Sequence, residues 1–152
     1  SKFDIAKLSN IKNDAIKSIL SAKLLEAQNR GISISVEIEE PVSNFRIELL
    51  DFITVLSILC DNAIEATIKA TSPRMTVVFI NNDDSLVLIV ENSIKSEKVD
   101  VSHIFARGYS SKGEGRGLGL HNVNSVLEKY PKSTITTRSA NHLFSQTIRF
   151  CK

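Results

Sequence analysis

Residues 113–120 read Gly-Glu-Gly-Arg-Gly-Leu-Gly-Leu, and they hold four of the six glycines of this 152-residue chain. Glycine lets the backbone approach a ligand closely, and a helical pattern follows at 117–130. Unpaired N–H groups at a helix start, together with the helix dipole, favour a phosphate. Lys112 and Arg116 add positive charge at the same place. The segment therefore indicates an anion-binding loop, with a flexible glycine hinge as the alternative when it is taken alone.

This loop fits neither of two common phosphate motifs. No Gly-Lys-Ser/Thr closes it, which excludes a Walker A loop. A polar segment precedes it, whereas a dinucleotide-binding fingerprint requires a strand there. Residues 91–116 give no confident helix or strand, and a stretch of that length is typical of a functional segment.

A second candidate site lies in a long helix predicted over 48–69. An almost purely apolar stretch precedes Asp61-Asn62-Ala63-Ile64-Glu65-Ala66. Asp61, Asn62 and Glu65 recur at spacings that place them on one helical face. A neutral amide oxygen on a rigid helix suits a hard cation that keeps phosphates and waters as its other ligands. Alone, the pattern also fits a helix that surfaces in its last two turns.

Two weaker features follow along the chain. Asn92 comes at the end of a strand predicted over 86–90, where its side-chain oxygen could accept a hydrogen bond from an adenine amino group. A plain turn residue is the alternative at this position. Ile104, Phe105 and Tyr109 form an apolar island in the polar segment, which either packs that segment down or closes over a ligand.

The other reactive side chains and the net charge suggest no further chemistry. His103, His121 and His142 lie apart from cysteines and carboxylates, and we interpret them as structural, with a role for His121 beside the glycine-rich loop as the alternative. Cys60 and Cys151 show no metal-binding spacing, so we expect no disulfide framework and a reducing compartment. A net charge of +2 is too small to indicate a nucleic-acid surface.

The hydrophobic periodicity predicts an α+β fold, a two-layer α/β sandwich with helices on one face of a mixed sheet. No apolar run approaches the ~20 residues of a membrane-spanning helix. Ser9 or Asn10 is the predicted cap of the first helix, and Gly31 its stop. The predicted elements are helices over 8–30, 48–69 and 117–130, and strands over 32–38, 75–80, 86–90, 133–138 and 143–150.

Taken together and in order, these motifs resemble the ATP-binding (Bergerat) domain of the gyrase, Hsp90, histidine kinase and MutL superfamily. Residues 61–66 resemble the N box, and 90–92 resemble the first glycine box. Residues 104–105 resemble the F box, and 115–120 resemble the second glycine box. The resemblance covers almost the whole chain and implies the Bergerat fold, with ATP and Mg²⁺ as ligands.

Departures from the superfamily pattern carry further expectations. Ile58 stands where other members carry a second Asn or a catalytic Glu, so we expect little intrinsic ATP hydrolysis. Glu65 replaces a usual basic residue, Asn92 replaces the usual Asp, and glycines are missing from 93–95. Together with the sequence of 110–120, this combination is similar to the AgrC-like peptide quorum-sensing kinases of Gram-positive bacteria.

The resemblance implies a role for each motif residue. Asn62 would coordinate Mg²⁺ that bridges the phosphates, while Asp61 and Glu65 would complete the catalytic set by supporting the metal and its waters. Asn92 would receive the adenine. The other ATP-binding residues implied by the resemblance are Phe105, Ser111, Lys112, Gly113, Gly115, Arg116, Gly117, Leu118, Gly119 and Leu120.

The implied reaction is transfer of the γ-phosphoryl group of ATP to a histidine on a separate dimerisation domain. Residues 1–152 would then be a single catalytic domain, monomeric alone and cytoplasmic, within a homodimeric integral membrane protein that signals to a response regulator. Nucleic acid is not expected as a partner. The alternatives are a degenerate nucleotide-binding or docking module and a stand-alone serine kinase of the same fold.

Overall fold

The computed structural model describes residues 3–99 and 118–151. A short 3-10 helix, Ile5–Leu8, precedes three helices and five strands. The helices are α1 Asp14–Asn29, α2 Leu49–Thr67 and α3 Leu118–Leu127. The strands are β1 Ser33–Ile38, β2 Arg74–Asn81, β3 Leu86–Ser93, β4 Thr134–Ala140 and β5 Leu143–Phe150. The predicted α+β class is confirmed, and no helix of the described part is long and apolar enough to cross a membrane.

The five strands form one mixed sheet in the order β1-β2-β3-β5-β4. β1 runs parallel to β2, and the other neighbours are antiparallel. Alternate residues of each strand face the helices, because side chains alternate across a strand. One such row crosses the sheet through Val36, Val77, Val90, Gln146 and Thr137. The row begins apolar in β1 and becomes polar in β5 and β4.

The first helix begins later than the pattern predicts. The prediction over 8–30 with a cap at Ser9 or Asn10 is wrong at its start, since α1 begins at Asp14. Asn13 is the cap, and its side-chain oxygen accepts from a backbone N–H at 3.0 Å. An Asn cap satisfies one of the unpaired N–H groups of a first turn, which fixes the boundary there.

The residues before α1 are buried by an extended bridge. Ile11 pairs in parallel with Val42, and both side chains are fully buried. The N–H of Val42 donates to the carbonyl of Asn10 at 2.7 Å, and the N–H of Lys12 donates to the carbonyl of Val42 at 2.8 Å. The apolar spacing predicts that Ile11 is buried, but it does not distinguish burial in a helix from burial in an extended bridge.

Later boundaries differ less from the predictions. β3 extends to Ser93, so the prediction that 91–116 lacks regular structure is wrong for its first three residues, and Asn92 lies inside the strand. α3 ends at Leu127 rather than at 130. The hairpin joining β2 and β3 turns within 82–85.

An aromatic cluster centred on Phe52 joins α2 to the sheet. The ring centroid of Phe52 lies 4.9 Å from that of Phe45 and 4.9 Å from that of Phe150. Phe79 of β2 lies 6.3 Å away by the same measure. Replacing such a buried phenyl by alanine costs about 3–5 kcal/mol. The cluster therefore fixes α2 over the sheet, and α2 carries the candidate site at residues 61–66.

A second contact holds α2 against the chain that follows α3. The hydroxyl of Tyr130 donates to the carboxylate of Asp51 and accepts from the N–H of Glu48 at 3.2 Å. Lys129 donates to the same carboxylate at 2.9 Å. The bond from Tyr130 and then the one from Lys129 lower the pKa of Asp51. α3 is thus tied at its C-terminal end to the start of α2.

A buried polar network joins the end of α2 to β2 and β3, and we call Thr67, Ser72, Arg74 and Ser93 the α2–β3 network. The hydroxyl oxygens of Thr67 and Ser93 lie 2.7 Å apart. The N–H of Arg74 donates to each of them at 3.0 Å. The Ser93 hydroxyl donates to the carbonyl of Ser72 at 2.9 Å. Both hydroxyls are therefore hydrogen-bonded in the interior.

Candidate functional site

The start of α3 abuts α2 at Asn62. A Cβ added to Gly119, the second residue of α3, would lie 3.7 Å from each amide atom of Asn62 and 3.3 Å from Cγ2 of Ile58. A Cβ at this position would thus be in ordinary contact with Asn62 and would need Ile58 to shift by a few tenths of an ångström. The close approach sets Asn62 beside the first turn of α3.

The first turn of α3 has the properties of an anion site. The first four N–H groups of a helix have no partner within it, and the helix dipole places partial positive charge there. Leu118, Gly119 and Leu120 belong to this turn, and Leu120 is buried. Ile58 lies at the same junction. A side-chain amide, a positive helix end and an apolar side chain in place of a base therefore meet at one point.

Asp61 faces a different side of α2, towards α1. Its carboxylate accepts a hydrogen bond from Lys23 of α1 at 2.7 Å, and that bond raises the pKa of Lys23. Asp61 and Glu65 also line a shallow depression of about 300 Å³ with Glu26 and Arg30. The sequence pattern groups Asp61, Asn62 and Glu65 on one face, whereas the structure turns Asp61 towards α1 and Asn62 towards α3. Their roles at a metal stay a prediction.

Asn92 lies on the helix-facing side of β3, between Met75 of β2 and Phe144 of β5. Asn92 is 2% exposed and lies within a strand, so the alternative of a plain turn residue is wrong. Nδ2 donates to the carbonyl of Ser93 at 3.0 Å. This bond orients the amide, with Oδ1 as its other polar atom.

Two residues that the sequence analysis passed over complete this region, Gln146 of β5 and Thr137 of β4. They are direct partners across the two strands. Oε1 and Nε2 of Gln146 and Oγ1 of Thr137 are buried and have no hydrogen-bond partner in the part of the chain that the structure describes. Each such group costs about 1–3 kcal/mol of folding stability. The signal in the sequence is Gln146 at a core position of an otherwise apolar alternation.

Several predicted site residues lie outside the described residues. They are Phe105, Tyr109, Ser111, Lys112, Gly113, Gly115, Arg116 and Gly117, and their roles stay predictions. Within 3–99 and 118–151, no group of three or more His, Cys, Asp or Glu side chains could hold a metal ion. Cys60 and Cys151 are free and buried, and burial raises the pKa of Cys60 to about 12. That thiol therefore stays protonated and unreactive.

Comparisons with curated proteins find sensor proteins. The chain is 29% identical over 125 residues to the sensor protein CitS of Bacillus subtilis, covering 79% of this chain and 23% of that protein. It is 30% identical over 144 residues to the sensor histidine kinase DcuS of Escherichia coli K12, covering 91% of this chain and 26% of that protein. The chain thus spans about a quarter of the length of these relatives.

Solved structures share the fold over most of the chain. The catalytic domain of histidine kinase ThkA superposes with a TM-score of 0.74 at 20% identity, covering 93% of this chain and 92% of that one. Full-length ShkA, in complex with AMPPNP, gives a TM-score of 0.69 at 15% identity, covering 99% of this chain and 30% of that one.

The family comparison covers the elements that build the site. Residues 47–151 match the family described as the GHKL domain, a span that begins just before α2 and ends after β5. It contains the α2–α3 junction and the buried amides of the sheet, and family membership implies nucleotide binding. The superfamily resemblance seen in the motifs is confirmed: the chain belongs to the GHKL domain family.

Proposed function

We propose that this domain binds Mg-ATP and transfers its γ-phosphoryl group to a histidine on a separate dimerisation domain, as the catalytic domain of a sensor histidine kinase. The observation that carries the proposal is the junction of α2 and α3, where Gly119 lets a positive helix end stand beside Asn62. The likeness to DcuS, a sensor histidine kinase, supports the reaction class.

The side chain of Asn62 fits Mg²⁺ only when the metal arrives with phosphates. A single neutral amide oxygen is a weak ligand, and the described residues offer no carboxylate cluster to complete the shell. Mg²⁺ would supply neutralisation of phosphate charge during transfer. Asp61 is held by Lys23 of α1, so we place only Asn62 against the metal and give Asp61 and Glu65 an indirect supporting role.

The chain then acts by positioning. The first turn of α3 and, by the family resemblance, the glycine-rich segment before it would hold the phosphates. Asn92 would accept from the adenine amino group. In the transfer, a ring nitrogen of the accepting histidine attacks the γ-phosphorus and the bond to the β–γ bridging oxygen breaks, leaving ADP. Ile58 cannot activate water as a base, so little phosphate is lost to hydrolysis.

The finer parts of the proposal concern the whole protein. Following the resemblance of the motifs to sensor histidine kinases, we place the domain on the cytoplasmic side of a membrane protein, paired as a homodimer through its dimerisation domain and signalling to a response regulator. The likeness to the sensor protein CitS and the sensor histidine kinase DcuS supports a role in sensing. The motif combination noted above favours a peptide quorum-sensing kinase of the AgrC-like group. The domain alone is expected to be monomeric and to bind no nucleic acid.

Phosphotransfer in trans tests the proposal. The domain is mixed with a histidine-bearing dimerisation domain, the parent protein's own where the gene encodes one, and with γ-labelled Mg-ATP. We expect acid-labile label on the histidine, and none when that histidine is replaced by alanine. Calorimetry with Mg-ATP is run alongside, with and without EDTA.

Three results would contradict the proposal in different ways. No saturable binding up to millimolar Mg-ATP removes nucleotide binding altogether. Binding without transfer favours the docking-module alternative. Acid-stable label on a serine favours the stand-alone serine kinase.

A further inference from the structure

The unpaired amide of Gln146 is the buried polar group that the proposed function leaves unexplained. Gln146 is 3% exposed, and neither its donor nor its acceptor has a partner among the described residues. Oγ1 of Thr137, opposite it across β5 and β4, is also buried and unpaired. Native interiors rarely leave a primary amide in this state, because its lost hydration is not replaced. The pair therefore awaits a ligand with hydrogen-bonding groups.

The position of the pair indicates which part of a ligand it meets. Gln146 is the cross-strand partner of Val90, so Asn92 is its diagonal neighbour on the helix-facing side of the sheet. Diagonal neighbours lie about 7–8 Å apart, within reach of a common planar ligand. We call Asn92, Thr137 and Gln146 the sheet patch. All three are uncharged, which favours a nucleobase over phosphates.

We propose that Gln146 binds the edge of the purine base and that the sheet patch selects adenine. The inference rests on the proposed function, because it assigns a base-reading residue to the same nucleotide site. The proposed contact consists of four hydrogen bonds. The adenine amino group has two hydrogens, one for Oδ1 of Asn92 and one for Oε1 of Gln146. Nε2 of Gln146 then donates one hydrogen to N1 of the ring and the other to Oγ1 of Thr137.

Guanine cannot make the same set. It presents an oxygen at position 6, where adenine presents an amino group, so that oxygen would face Oδ1 of Asn92 with no hydrogen between them. The bond from Nδ2 to the carbonyl of Ser93 opposes rotation of the Asn92 amide. A buried site built for hydrogen bonds rejects a ligand that leaves its polar groups unpaired. The patch therefore binds ATP more tightly than GTP.

The test compares affinity and stability in one variant, Gln146→Met. Methionine keeps the length of the side chain and removes the amide. We expect Mg-ATP to bind about tenfold more weakly, the loss of about one good hydrogen bond, and the preference for ATP over GTP to shrink. The melting temperature of the nucleotide-free variant should equal or exceed that of the unmodified domain. Opposite signs for affinity and stability are not expected of a structural residue.

Two further variants serve as a control and as a second test. Thr147→Val changes the next residue of β5, which lies on the other face of the sheet, and should alter neither affinity nor selectivity. Thr137→Val removes the remaining unpaired hydroxyl at constant shape, and should weaken Mg-ATP binding by a few-fold. Purine riboside triphosphate, which lacks the 6-amino group, should bind the unmodified domain more weakly than ATP.

Each opposing result overturns the inference. Unchanged Mg-ATP affinity and selectivity in Gln146→Met would show that the amide does not contact the base. A lower melting temperature of that nucleotide-free variant would show that the amide serves the fold. Equal binding of ATP and purine riboside triphosphate would exclude recognition of the amino group. Absence of nucleotide binding by the unmodified domain would instead overturn the proposed function along with the inference.

Discussion

Two buried polar clusters meet at the end of β3 and differ in how completely their hydrogen bonds are made. In the α2–β3 network, the hydroxyls of Thr67 and Ser93 are bonded to each other and to backbone groups. In the sheet patch, the side chains of Gln146 and Thr137 make no hydrogen bond within residues 3–99 and 118–151, whereas Asn92 donates through its Nδ2. Asn92 and Ser93 are adjacent in sequence. The difference separates polar groups that hold the fold from polar groups that await a ligand.

Asn62→Ala should give the largest effect, on the binding of Mg-ATP. We expect Mg-ATP affinity to fall about 100-fold, since a bond to a charged group is worth about 3 kcal/mol. The melting temperature should stay within about 2 °C. Isothermal titration with and without Mg²⁺ measures the effect.

The control for this variant is Asn124→Ala, an exposed asparagine of the same class in α3. It should leave affinity unchanged. A magnesium dependence that survives Asn62→Ala would show that the metal lies elsewhere.

Thr67→Val tests the other cluster and should act only on stability. Valine keeps the shape but leaves the carbonyl of Arg74 and the hydroxyl of Ser93 short of a partner. We expect the free energy of unfolding to fall by about 2 kcal/mol, with Mg-ATP affinity unchanged. Urea unfolding measures it, and Thr54→Val, whose hydroxyl bonds within α2 on the exposed side, is the control. A loss of Mg-ATP affinity at constant unfolding free energy would show that Thr67 serves ligand binding and not the fold.

Tyr130→Phe removes the partly exposed hydrogen bond to Asp51. We expect its loss to destabilise the domain less than a change in the buried α2–β3 network. Removing the hydroxyl should lower the free energy of unfolding by about 1 kcal/mol at pH 7. Because the folded pKa of Asp51 is held below its ordinary 3.8, this stabilisation is present above that value and is lost as pH falls through the folded pKa. The difference in unfolding free energy between the variant and the unmodified domain should therefore narrow in urea titrations as the pH falls below 3.8.

Lys129→Met is the comparison for that experiment. It removes the second, more exposed partner of Asp51 and should have the smaller effect. A gap that stays constant with pH would show that Tyr130 acts by packing rather than through the carboxylate.

Lys23→Met should have the smallest effect. It decides whether Asp61 stabilises the fold or takes part in ligand binding. The two side chains of the pair are 24% and 48% exposed, and such pairs contribute under about 1 kcal/mol. We expect the free energy of unfolding to change by less than about 1 kcal/mol. Mg-ATP affinity should stay within about twofold, since the pair joins α2 to α1 and not to α3. Titration calorimetry on this variant and on Lys17→Met, in the same helix, would detect a larger change. Such a change would move Asp61 into the metal site.

The sequence predicts the sheet and α2 well because both depend on burial, which hydrophobic alternation records directly. It places the start of α1 wrongly because an Asn13 cap competes with apolar spacing that continues to Leu8. It finds Asn62 and Asn92 through motifs, but it does not distinguish the two sides of α2, since the Lys23 partner of Asp61 comes from a distant helix. The apolar alternation of β5 marks Gln146 as a buried polar residue, but the lack of hydrogen-bond partners among the described residues is visible only in the structure.

The sheet order has a consequence for self-association. Among the described strands, β1 and β4 are the edges, and the outer side of an edge strand is where another chain could add by backbone pairing. β4 reads Thr-Ile-Thr-Thr-Arg-Ser-Ala, and none of its residues is fully buried. Its polar side chains and the charge of Arg138 make edge-to-edge addition of a second sheet unfavourable. β1 carries Glu37 on its outer face and is short, at six residues. Both borders thus protect the protein against aggregation while the sheet stays open.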